Sequence, residues 1–337
     1  MRLRAVFIGC WLAVCSALGG AVGADPAQDQ AKRQVEQPLN NAPAWREVRS
    51  GAAHTTQVRG RESGVLIQAS GETWRQIRNG PVTLIGGALL ILVPVAIYLF
   101  YRKSGPMKLH EPPSGRKIER FTRWERIVHW CTAVTFVILA VTGIVLLFGK
   151  HFLIPVIGYN AFSWLATVSK TLHNFVGPLF IFSVACMFFT YLRDNLWRKA
   201  DWEWLRKAPL VLTGKAHVPS GKYNAAEKGW FWGGVAFLGL IVGASGLVLD
   251  FPNFDQTRYT MQVANIVHGI GALLFVLASF GHIYMGTIGT EGAYEGMKTG
   301  FVDEIWAKEH HELWYREVKA GARATAATPV QRAGAPG

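Results

Sequence analysis

The stretch from Gln262 to Ile288 holds no Lys, Arg, Asp or Glu, yet it carries two histidines, His268 and His282. About 20 consecutive apolar residues suffice to cross a bilayer as a helix, so this stretch is long enough to span. Fourteen helical steps rise roughly 21 Å and return to within about 40° of the starting direction. The two imidazoles therefore project from one face of a single span, one near each side of the membrane. Ionisable groups inside a span are expensive and point to function, and two on one face at two depths suggest two cofactors stacked across the bilayer. A lone membrane histidine can also serve only as a hydrogen-bonding group between helices. The rest of the chain bears on that choice by supplying two further histidines at matching depths.

Half of the 337 residues are hydrophobic and only 17% are charged, the balance of a membrane protein with polar ends. The formal net charge of +13 invites a nucleic-acid partner, but the basic residues cluster beside the hydrophobic spans, which excludes nucleic acid as the reading and points to membrane lipid. Four cysteines (Cys10, Cys15, Cys131, Cys186) form no CxxCH or CxxC motif, so covalent haem and a chain-borne iron–sulfur cluster are excluded.

In chain order, residues 1–24 read as a secretory signal peptide: Arg2 and Arg4, an apolar run, then Val22-Gly23-Ala24 before Asp25. An uncleaved anchor helix is the alternative, and both put residue 25 outside the cytoplasm. Residues 25–79 read as a periplasmic segment, with His54 on its surface, and 80–101 as a first transmembrane helix. The linker 102–126 holds eight Lys and Arg, the loop 193–228 eight and the tail 289–337 six, against one each in the short loops 150–168 and 251–262. By the positive-inside rule the first three are cytoplasmic and the last two periplasmic. The expected protein is thus a multi-pass protein of the bacterial inner membrane, with a periplasmic mature N-terminus and a cytoplasmic C-terminus.

Residues 127–288 read as four spans, about 127–148, 169–192, 229–250 and the His268/His282 stretch. His129 falls on the cytoplasmic side of the first of these, and His173 on the periplasmic side of the second. Iron in a b-type haem can take two axial imidazoles, and matching depth pairs His129 with His282 and His173 with His268. Gly143, fourteen residues after His129, shares that helical face near the other haem, and Gly269, Gly271 and Ala272 flank His268. The segment SGLVLDF at 245–251 weakly echoes TGIVLLF at 142–148. The other histidines, His110, His151, His217, His310 and His311, read as solvated.

The chain resembles the gamma subunit of membrane-bound formate dehydrogenase, a cytochrome b. The resemblance covers about 116–320. It is carried by R-x-x-R-x-x-H-W at 123–130 around His129, L-H-N-F-V-G-P around His173, GKYNAAEK at 221–228, the His268/His282 spacing and WAKEHHELWYRE at 306–317. It implies an all-α membrane protein: a four-helix transmembrane di-haem cytochrome b bundle, here with one additional N-terminal transmembrane helix. It implies two haems b held by His129/His282 and His173/His268, with a quinone bound by Asn224 and His282 near the cytoplasmic side. It further implies an iron–sulfur (beta) subunit that delivers electrons from a catalytic formate dehydrogenase (alpha) subunit, where the formate-oxidising site lies. The cytochrome b of a nickel–iron hydrogenase or another periplasmic oxidoreductase, and a haem-free anchor, are the alternatives. The signal peptide, segment 25–79 and span 80–101 depart from the four-span pattern.

Overall fold

The structure is a computed structural model and describes residues 42–51, 69–213 and 216–327; the expected signal peptide and His54 lie outside them. The chain divides into two units, residues 1–73 and 74–337. Among the described residues of the first, helix α1 (Ala42–Ser50) contributes Arg49, which pairs with Glu72 at 3.7 Å.

The second unit is an all-α membrane bundle. Helix α2 (Ala69–Ile77) passes through one wide π turn, Arg78–Val82, into α3 (Thr83–Ser104). Pro81 lies within that turn and has no amide hydrogen to give the helical ladder, which accounts for the local widening. Four more spans follow: α4 (Arg123–Phe152), α5 (Ile154–Tyr191), a span from Ala225 to Asp250, and α9 (Arg258–Gly286). Five described helices are therefore long and apolar enough to cross a membrane. Their outward faces carry exposed Leu84, Ile91, Phe182 and Leu240, the surface expected of a protein solvated by lipid tails.

The loop expected at 150–168 is mostly helical. α5 begins at Ile154 and is interrupted only at Gly158, whose φ of 75° lies in the left-handed region. The Ala225–Asp250 span is also irregular: α7 (Ala225–Gly229) leads into a π-helical stretch, Trp230–Leu238, and then α8 (Gly239–Asp250).

One end of the bundle carries a folded cap. Strands β1 (Lys117–Glu119) and β2 (Phe301–Asp303) pair antiparallel with Ile118 opposite Val302. The cap also holds α6 (Lys199–Leu212), α10 (Ala293–Thr299), α11 (Glu304–His310) and α12 (Glu312–Ala327). Val302, Trp306, Ala307 and Trp314 form its apolar core. Its polar joints are deep. Lys228 is 1% exposed and pairs with buried Asp201 at 2.7 Å. Glu304 accepts from Lys319 Nζ, Tyr315 Oη and Arg116 Nε, and these donors hold its carboxyl down at about 2. The two most distinctive sequence segments, GKYNAAEK and WAKEHHELWYRE, thus supply much of the cap's interior.

Two expectations fail here. His311 is 2% exposed, with Nδ1 2.8 Å from the Gly221 carbonyl and Nε2 3.1 Å from Arg120 Nη2. His310 is half-buried, and its Nε2 has no hydrogen-bond partner. Neither is solvated, because the β1–β2 pairing folds the tail back over the linker. His110 does stay exposed, bonded to Glu309 at 3.1 Å.

Candidate haem sites

The four sequence-predicted histidines meet in two pairs at opposite ends of α9. His129 and His282 face each other at the capped end with ring centroids 6.2 Å apart, and His173 and His268 at the other end with centroids 6.0 Å apart. A metal–imidazole bond is about 2 Å and a ring nitrogen lies about 1.1 Å from the ring centre, so two imidazoles on opposite sides of one iron have centroids about 6 Å apart. Both pairs match that separation.

Hydrogen bonding fixes the tautomers at the uncapped end. Thr142 Oγ1 gives its own hydrogen to the Ile138 carbonyl at 2.8 Å, so it accepts the Nδ1–H of His173 at 2.8 Å. His268 Nδ1 lies 3.1 Å from the Val242 carbonyl, which can only accept, and 3.3 Å from Ser245 Oγ, whose hydrogen goes to the Ile241 carbonyl. Both rings therefore carry their proton on Nδ1 and leave the Nε2 lone pair for a metal, the usual outer-shell arrangement for a histidine ligand.

The weak echo between 142–148 and 245–251 acquires a meaning here. Thr142-Gly143 and Ser245-Gly246 do the same work on the two partner rings. The hydroxyl takes Nδ1–H, while a Cβ on the glycine would stand 3.4 Å from His173 Cε1 or 3.2 Å from His268 Cε1. Sequence reasoning found Gly143 but missed Thr142, Ser245 and Gly246; the echo itself was the signal. Gly271 has a different job, since a Cβ there would meet Ile241 and Val242 at 3.2 Å, so it serves helix packing. Gly269 and Ala272 do line the site.

Between α3, α4, α5, α8 and α9 a cavity of about 540 Å³ opens onto His173 and His268, within the range that holds a cofactor. Phe136, Phe180 and Phe275 close it toward the middle of the bundle, with Phe136 and Phe275 centroids 4.9 Å apart.

The capped-end pair is built differently. Trp230 lies flat on His282, with centroids 4.8 Å apart and planes at 12°. A ring nitrogen binds metal in its own plane, so stacking on the face fixes the ring and leaves that direction open. His129 Nδ1 is buried without a hydrogen-bond partner. Asn224 caps α7: its Oδ1 accepts from the amides of Ala226 at 3.0 Å and Glu227 at 3.1 Å, and Glu227 returns a bond to the Asn224 amide. Its Nδ2 makes no hydrogen bond among the described residues. The Gly221 carbonyl anchors buried His311.

Comparison with known proteins accords with this geometry. The chain is similar to formate dehydrogenase cytochrome b556 subunits. The fdo subunit of Escherichia coli K12 is 32% identical over 210 residues, covering 60% of this chain and 93% of the relative. The nitrate-inducible Fdn subunit of the same organism is 29% identical over 206 residues, 58% and 88%. The subunit of Haemophilus influenzae is 28% identical over 218 residues, 61% and 86%. A family model described as prokaryotic cytochrome b561 matches residues 120–300, the stretch that contains all four facing histidines. The chain therefore belongs to the prokaryotic cytochrome b561 family, a family of multi-pass membrane cytochromes that carry haem b.

Proposed function

We propose that this chain is the membrane-anchor cytochrome b subunit of a formate dehydrogenase, joining a periplasmic iron–sulfur subunit to membrane quinone through two haem b sites. The observation that carries the reading is the pair of facing imidazoles at each end of one membrane helix, at the separation two axial ligands of one iron require. The names of the relatives support the choice of complex.

Haem b supplies one-electron transfer when bound. The chain's own residues hold and isolate it. His173 and His268 would hold one haem on the periplasmic side, with Thr142 accepting the Nδ1–H of His173 and the Val242 carbonyl that of His268. His129 and His282 would hold the other on the cytoplasmic side, with Trp230 orienting His282. The Phe136, Phe180 and Phe275 cluster keeps water out of the layer between them. Orientation follows from the charge of the loops, which makes the capped end cytoplasmic. Asn224, with its Oδ1 committed to the helix cap, retains an amide nitrogen that can donate to a quinone carbonyl near His282. The formate-oxidising site belongs to the catalytic alpha subunit, and the iron–sulfur beta subunit docks on the periplasmic side.

The test is purification of the intact complex followed by addition of formate. Reduction of b-type absorption bands by formate, and loss of quinone turnover with haem reduction retained in Asn224→Ala, are the expected results. Reduction by hydrogen and not by formate would assign the chain to a hydrogenase. An absence of b-type bands would leave a haem-free anchor. Normal quinone turnover in Asn224→Ala would leave Asn224 as a cap alone.

A further inference from the structure

The additional N-terminal span lies outside the family match at 120–300, and nothing so far gives it a role. Its place in the bundle is specific. Trp74 Nε1 donates to Asn265 Oδ1 of α9 at 3.0 Å, and Asn79 Oδ1 accepts from Lys150 Nζ of α4 at 3.1 Å. Gly86 brings α3 so close to α9 that a Cβ would stand 2.6 Å from Leu273 Cδ1, and at Gly87 a Cβ would stand 3.4 Å from Phe148 of α4. α3 is thus seated against both helices beside the His173/His268 cavity.

Three residues of this segment, Arg78, Val82 and Leu90, line that cavity. Arg78 belongs to the π turn at Pro81, where the helix widens. On the α5 side the cavity is lined by Lys170. Neither cation has a carboxylate partner among the described residues: Arg78 Nη1 donates only to Asn79 Oδ1 at 3.2 Å, and Lys170 Nζ only to Asn174 Oδ1 at 3.0 Å. Asp250 also lines the cavity and forms no ion pair with either. The wall therefore presents two uncompensated cations and one carboxylate to a space opening on two metal-competent imidazoles.

We propose that the additional span completes the His173/His268 haem site, and that Arg78, together with Lys170, binds the carboxylate side chains of that haem. A haem b brings two propionates, each an anion that needs charge-assisted donors when taken out of water. Arg78 offers a planar fork suited to a carboxylate and Lys170 a point charge. This assignment rests on the bis-histidine reading of the site. It also gives the span an electrostatic role. Reduction adds one negative charge to the haem, so a cation close by favours the reduced form. Arg78 and Lys170 should therefore hold the potential of this haem up.

The experiment is a spectroscopic redox titration of the intact complex, following the haem whose band disappears in His173→Ala. In Arg78→Gln the midpoint of that haem should fall, with the reduced-to-oxidised ratio at fixed potential lowered several-fold. Arg78→Lys should stay near the wild type, and the His129/His282 haem should not move in either. If Arg78→Gln does not accumulate, Lys170→Gln, on an exposed stretch of α5, gives the same readout. A His173→Ala protein that keeps both haems overturns the site itself. A haem lost in His173→Ala, but unmoved in midpoint by both Arg78→Gln and Lys170→Gln, overturns the role of the span alone.

Discussion

Thr142→Val is the sharpest perturbation of the haem site, because it changes one atom's chemistry and almost no volume. Thr142 is buried, and its hydroxyl is the acceptor for His173 Nδ1–H at 2.8 Å. Valine removes that acceptor and leaves the imidazole N–H facing a methyl group. A buried donor left unsatisfied costs about 1–3 kcal/mol, which corresponds to about 5- to 150-fold in an equilibrium constant. Loss of an outer-shell partner of a metal ligand typically costs about 10–100-fold in affinity, and the two estimates overlap. Ser245→Ala provides the contrast. His268 Nδ1 keeps the Val242 carbonyl at 3.1 Å when the longer 3.3 Å contact to Ser245 goes, so the effect there should be several-fold smaller. The assay is haem retention during graded denaturation or haem competition, read as the two b-type components of the reduced-minus-oxidised spectrum. The component assigned to the proposed His129/His282 haem serves as the internal standard. Equal retention in Thr142→Val and wild type, or selective loss of the other haem, would refute the tautomer argument.

Lys228→Met should strand the Asp201 carboxylate in the cap and destabilise it by about 3–5 kcal/mol, and replacing Asp201 with leucine in the same protein should restore much of that; limited proteolysis of the cap reads both. Burial, and then the Arg120 guanidinium, push His311 down to about 3. Above pH about 6.5 the ring is neutral folded and unfolded. Below that the unfolded chain alone takes up the proton, so cap stability should fall by up to about 1.4 kcal/mol per pH unit toward pH 3. His311→Gln should flatten that slope in a pH series of thermal melts. A topology reporter fused near residue 110 or 210 should read cytoplasmic and one near 255 periplasmic; a periplasmic signal at 210 would invert the proposed electron path.

What the sequence made legible was whatever repeats along one helix. The fourteen-residue spacing of His268 and His282, and the depths of His129 and His173, are local properties of apolar runs, and the facing pairs follow from them. The tautomer-setting hydroxyls were hidden because each lies on a different helix from the ring it serves, a relation that only packing creates. His310 and His311 looked solvated for a similar reason. Their neighbours in sequence are charged, but the β1–β2 pairing joins residues nearly two hundred positions apart and buries them. The helix at 154–168 was masked by Gly158, which breaks its course without ending it. Arg78 belongs to no motif, and its place in the cavity wall is created only by the packing of α3 against α4 and α9.

The central claim is that two haems are each held by one histidine of α9 and one of another helix. Haem quantified per chain in single His→Ala variants tests it most directly. Two b-type haems are expected in the wild type. His173→Ala and His268→Ala should lose the same spectral component, and His129→Ala and His282→Ala the other. Loss of different components within either pair, or two haems retained in all four variants, would contradict it.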